Sequence, residues 1–150
     1  MTRPLSRAIP FAILALILSA ILSAVVLIFM VGVPGTRDAA AEFQRQAISR
    51  AVGVDLIVGG LVALAAGWLA ARPFRGREAT MTGLMTGLIL ILLDLAIVFL
   101  VGNSERLNLA TMAASYADKL AAATLGGFLA GRGGPLGDED EPERVSLDKE

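Results

Sequence analysis

The chain has 150 residues, of which 55% are hydrophobic and 18% charged, with 13 basic against 14 acidic side chains and neither Cys nor His. Its mean hydropathy of +0.70 and its apolar fraction exceed those of water-soluble domains, which are roughly 45–50% apolar, so the bilayer is the expected solvent. The missing thiols and imidazoles exclude zinc fingers, thiolate clusters, His-ligated haem, Ser-His and Cys-His nucleophile pairs, and disulfides.

Ala8 to Val33 is a run of 26 residues without a charge, longer than the roughly 20 needed to cross a hydrocarbon core. Arg3 and Arg7 precede it, and Ala39 and Ala41 form an A-x-A pattern, so a cleaved signal peptide is an alternative. The apolar run is too long for that reading, since signal h-regions span about 7–15 residues, and a retained anchor is expected. Pro34-Gly35-Thr36 then reads as a helix stop followed by an N-cap, and Arg37 to Arg50 as a surface helix, with Phe43, Ala47 and Ala51 at four-residue spacing, continuing into the second span. Its charges of both signs favour a solvated collar over an external docking element.

The second span covers about 52–71, charged only at Asp55, with Trp68 near its far end as an interfacial anchor. Pro73 to Thr80 is an arginine-rich turn, and 81–102 is the third span, charged only at Asp94. Asn103 to Asn108 is a tight turn, and 107–131 is a fourth span, rich in Ala and Gly and interrupted by Asp118-Lys119. From 133 to 150 the composition changes: Asp138 to Glu150 holds seven acids against Arg144 and Lys149, the pattern of a disordered acidic tail. The expected fold class is therefore all-α: a transmembrane domain over 1–132 with four antiparallel helices, then the tail over 133–150.

Orientation follows from the basic residues beside the spans. Arg3, Arg7, Arg72, Arg75, Arg77, Arg132, Arg144 and Lys149 fall on one side, and Arg37, Arg45, Arg50 and Arg106 on the other. Eight against four puts both termini in the cytoplasm. Eleven Arg to two Lys, with many Ala and Gly, points to a bacterial plasma membrane. Gly67-Trp68-Leu69-Ala70-Ala71-Arg72 reappears sixty residues later as Gly127-Phe128-Leu129-Ala130-Gly131-Arg132. Two tandem helical hairpins related by duplication explain this, as does convergence, because a helix leaving the membrane on the cytoplasmic side favours an aromatic and then an Arg.

Helices in lipid associate through close packing, and small residues four apart allow the nearest approach. Gly59, Ala63 and Gly67 line one face of the second span, Gly83 and Gly87 open the third, and Ala113, Ala117, Ala121, Gly127 and Gly131 run down the fourth. Packing within the chain is the simpler use of these faces, and a contact with other membrane proteins or a second copy the alternative.

Ionisable residues at membrane depth cost on the order of 2.5–3.5 kcal/mol each at a helix centre and are paired or functional. Asp94 and Lys119 lie level in antiparallel neighbours and are expected to pair, with Asp118 on another face and Asp55 nearer the outer surface, within reach of interfacial water. In one reading the pair fixes register, with Asp118, Thr111, Ser115, Tyr116 and Thr124 completing a polar seam. In the other, Asp94, Asp118 and Lys119 line an ion or proton path with Asp55 at its mouth. The first is favoured because the remaining spans offer few polar side chains.

The glycine cluster from Gly126 to Gly134 lacks the lysine and hydroxyl of a phosphate-binding loop. No basic face interleaved with aromatics marks a nucleic-acid partner, no cofactor or metal is implied, and no nucleophile stands beside a base. The expected function is that of a non-enzymatic accessory or assembly subunit, or a homo-oligomer, acting through helix packing. A small oligomeric transporter or channel using the intramembrane Asp and Lys residues is the alternative.

Overall fold

The computed structural model describes residues 2–32, 37–101 and 109–133 of the 150. Among these, 95% are helical and none forms a strand, as the unbroken apolar runs require in a solvent that offers the backbone no hydrogen bonds. The elements are α1 (Thr2–Val31), α2 (Arg37–Val54), a five-residue π-helical turn (Asp55–Gly59), α3 (Gly60–Ala71), α4 (Gly76–Val101) and α5 (Leu109–Arg132). The expected Pro34-Gly35-Thr36 stop, the turn over 103–108 and the acidic tail beyond Gly133 lie outside the described residues.

Two helices are long and apolar enough to cross a membrane, over Pro4–Val31 and Gly76–Leu100, and the bent rod of Glu42–Ala51 and Asp55–Ala71 adds a third only where both pieces form one span. The rod bends by 48° between Ala51 and Asp55, immediately before the π turn, and such turns are a common companion of kinks. α1 carries Pro10 inside it and ends on Gly32, which adopts φ +89° and donates its N–H to the Ile28 carbonyl at 2.8 Å. That is a left-handed cap, a conformation that favours glycine. Arg50 reaches back from α2 and donates to the Met30 carbonyl at 2.9 Å, placing a cation on the negative end of the α1 dipole.

The turn after α3 is tighter than the Pro73–Thr80 connection expected from hydropathy. α4 begins at Gly76, so four residues, 72–75, join the helices. Polar residues from Arg77 to Thr80 wind into the first turns of α4, where Glu78 is favourably placed against the dipole. Hydropathy marks where lipid begins and not where a helix begins, which accounts for the difference.

Small side chains fill the interior and large ones face out. Buried positions include Ala8, Ala12, Ala63, Ala66, Ala70, Ala79, Ala123 and Ala130, and the largest fully buried side chains are Thr82 and Thr86. Each of these threonines donates to the carbonyl four residues earlier, Glu78 at 2.8 Å and Thr82 at 2.9 Å, so no hydroxyl proton is left unused. Leu14, Ile57, Leu61, Leu92 and Phe99 are exposed, and only 11% of the most apolar stretch of α1 is buried. Such a surface is an aggregation hazard in water and an ordinary surface in lipid.

α5 packs between α3, to which it runs parallel, and α4, to which it runs antiparallel. The register is visible in the glycine contacts. A Cβ added at Gly126 would collide with the Leu64 carbonyl and lie 2.8 Å from the Trp68 nitrogen, and one at Gly127 would lie 2.9 Å from Gly83 Cα. Backbones meet directly here, as sequence spacing at Gly67, Gly83 and Gly127 anticipated. Gly59, Ala63, Gly67, Gly83, Gly87 and Gly127 are all buried and Gly131 partly so, which makes the expected packing residues contacts within the chain.

Candidate functional site: a buried charge cluster

The end of the bundle away from Gly67, Gly83 and Gly127 is built differently. Asp55, Gly59, Ala63 and Gly67 recur every four residues and share one face of the rod, as do Ser115, Lys119, Ala123 and Gly127 on α5. Laying these faces together brings Asp55 to α5 at the level of Ser115. The Ser115 hydroxyl donates to Asp55 Oδ2 at 2.6 Å, and Lys119 Nζ lies 3.0 Å from that same oxygen. From the opposite side, Asp94 on α4 accepts from Lys119 Nζ at 3.3 Å. One ammonium thus joins carboxylates from two other helices. Its side chain is 7% exposed, against 38% for Asp55 and 29% for Asp94.

Local backbone makes room for this. A Cβ on Gly59 would come within 2.7 Å of Lys119 Cε, and one on Gly60 would collide with Asp118 Oδ2. Two glycines at the π turn therefore let two long polar side chains of α5 pass the rod. The ring of Tyr116 lies 5.8 Å from Lys119 Nζ and adds a weak cation–π contact.

Two cavities adjoin the cluster. One, about 230 Å³, is lined by Ala51, Asp55, Asp94, Val98, Thr111, Met112, Ser115 and Tyr116. The other, about 100 Å³, is lined by Leu16, Ser19, Ala20, Ser23, Asp55, Leu90, Asp94 and Lys119. Asp55 and Asp94 face both. Two oxygens in this half are buried without a hydrogen-bond partner, Ser23 Oγ and Asp118 Oδ2.

The expected pairing of Asp94 with Lys119 is present, and Asp118 does occupy another face, against Gly60. Asp55, 38% exposed and so open to water as expected, also belongs to the cluster through Lys119 and Ser115. Depth along the span gives it water, and the four-residue stripe it shares with Gly59, Ala63 and Gly67 is the signal for its contact with α5. Of the expected polar seam, Thr111, Ser115 and Tyr116 gather at the larger cavity. Thr124 donates to the Leu120 carbonyl at 2.7 Å and lies on the outer α4–α5 groove. Ser19 and Ser23 of α1 escaped sequence reading, since single serines in an apolar run carry no periodic signal.

The repeated helix ends behave alike. Arg72 stacks 4.5 Å from the Trp68 ring centroid, and Arg132 stacks 4.3 Å from that of Phe128. Asp55 and Ser115, which bond to each other, are also sixty residues apart, the same offset. Among the described residues no group of three His, Cys, Asp or Glu could hold a metal ion.

An all-helical bundle with an apolar exterior, a small-residue interior and a buried charge cluster defines a membrane protein as its class. Compared with protein-family models, curated proteins and solved structures, the chain matches none.

Proposed function

We propose that the chain is a four-span protein of a bacterial plasma membrane, with both termini cytoplasmic, and that it serves as a non-enzymatic accessory or self-associating component of a membrane assembly. Four crossings are supported by the parallel run of α3 and α5 with α4 returning between them. A cytoplasmic placement of the ends is supported by the arginines at 72, 75, 77 and 132, on the side where basic residues accumulate. The domain so defined runs over 1–132, with the acidic segment from 133 as a cytoplasmic appendage.

The observation that carries the reading is the way the cluster uses its charge. Lys119 is occupied by Asp55 and Asp94 together, so the cluster locks three helices in one register, the best attested use of buried charge. The stripe Ala113, Ala117 and Ala121 remains exposed on α5, and Ala117 and Ala121 border an open groove between α4 and α5. Unlike the glycines, this small-residue surface is left over for another membrane helix.

Because the chain has no cysteine, Ala117→Cys gives a clean cross-linking probe. The expected outcome is a disulfide-linked dimer in native membranes and its absence with Ile57→Cys, which sits on another exposed face. A monomer in both cases would count against self-association. Topology is tested by reporter fusions at both ends, with both reporting the cytoplasm.

The cavities on two sides of the cluster favour a second reading, ion or proton movement through an oligomer. Under that reading Asp94→Asn abolishes flux in liposomes while expression and oligomeric state are kept.

A further inference from the structure

The charge cluster does not balance. Asp55 and Asp94 contribute two negative charges and Lys119 one positive, leaving one negative charge over. Asp118 does not compensate it, being acidic itself and turned toward Gly60. Burial makes an uncompensated carboxylate expensive, and a bound proton or a bound cation relieves that cost.

Beside that surplus lies the 100 Å³ cavity. Its polar lining residues are Ser19 and Ser23 from α1 with Asp55, Asp94 and Lys119. Ser23 Oγ is buried and has no hydrogen-bond partner, an expense on the order of 1–3 kcal/mol for a hydroxyl that finds none. Carboxylate- and hydroxyl-bearing residues thus share one cavity with Leu16, Ala20 and Leu90, and its three charged residues sum to one negative charge.

We infer that this cavity is a binding site for a small monovalent cation of the sodium type, held by Asp55, Asp94 and the hydroxyls of Ser19 and Ser23, and reached through the larger cavity on the other side of the two carboxylates. For Asp55, Asp94 and Lys119 taken together, one monovalent ion brings the sum to zero, whereas a divalent ion would leave these three positive. Hard oxygen donors suit alkali cations. Size selects against organic cations, because 100 Å³ accommodates a dehydrated ion with one or two waters at about 30 Å³ each. The inference rests on the membrane setting proposed above but not on whether the chain self-associates. It gives the register-fixing cluster a ligand, so that helix packing becomes dependent on the ion.

The test is thermal unfolding of the full chain in detergent, read by the fluorescence of Trp68, with sodium, lithium, potassium or choline chloride at matched ionic strength. Sodium is expected to raise the midpoint saturably by roughly 5 °C over choline, by preferential binding to the folded state. Ser23→Ala removes an unpartnered hydroxyl and leaves the ion pairs intact. It should match or exceed the parent in choline and lose most of the sodium response, and Ser19→Ala provides the same test should Ser23→Ala fold poorly. Equal midpoints for the parent in all four salts would overturn the inference. So would an undiminished sodium response in both serine variants, or a stability gain on acidification in choline without any cation response, which would assign the surplus charge to a proton. The clamp is tested separately: if Lys119→Ala leaves the choline midpoint unchanged, the register-fixing role fails whatever the salts do.

Discussion

The two halves of this bundle solve the same problem, holding helices together in lipid, with opposite materials. In the glycine half, around Gly67, Gly83, Gly126 and Gly127, backbones touch and no side chain intervenes. In the charged half, around Asp55, Asp94 and Lys119, long polar side chains span gaps that leave cavities. Dispersion between close-packed atoms gains little per contact but tolerates no intrusion, whereas ion pairs reach across space and demand compensation. The first half is stiff to substitution by volume and the second to substitution by charge.

That contrast can be broken most severely at Lys119. Lys119→Ala strands two carboxylates and should cost about 3 kcal/mol, the lower end of the range for a broken buried pair because both acids are partly exposed; denaturant titration in mixed micelles measures it. Asp94→Lys combined with Lys119→Asp should recover only part of that loss, since Asp55 then faces a second acid at 119. Full recovery would show that Asp55 contributes nothing.

In the glycine half, Gly126→Ala pushes a methyl into the Leu64 carbonyl, an obstacle no rotamer can relieve, and should cost about 2 kcal/mol in the same assay. Ser115→Ala removes a single hydrogen bond to a charged group and should cost about 1.5 kcal/mol. Gly53→Ala sharpens the comparison by its sign. Nothing lies within 4 Å of a Cβ there, so the better helix former should stabilise the rod by up to about 0.8 kcal/mol.

Much of this was readable in the sequence, for reasons specific to each element. Uninterrupted apolar runs placed α1 and the lipid-facing part of α4, because a bilayer admits little else. Glycine and alanine at four-residue spacing identified the faces that pack, and antiparallel registry brought Asp94 level with Lys119. The π turn was not legible: Asp55 to Gly59 has no residue pattern that distinguishes hydrogen bonds five residues apart from bonds four apart. The bond of Asp55 to α5 was less legible than its exposure, because depth points to water and only its face points to contacts. The 100 Å³ cavity depends on how α1 leans on the rod, which no local pattern specifies.

The π turn also makes the spacing of this chain more consequential than its composition. Such a turn amounts to one extra residue wound into a helix, so removing Val58 would let the ladder close in the ordinary way. The wider winding of the π turn absorbs that residue, so the helix on either side would keep its facing and only the residues of the turn itself, Asp55 among them, would be re-aimed. Every chemical group of the cluster would survive, but Asp55 would be aimed elsewhere. A length change of one at this place is therefore the most economical way to disarm the protein without altering a single charge.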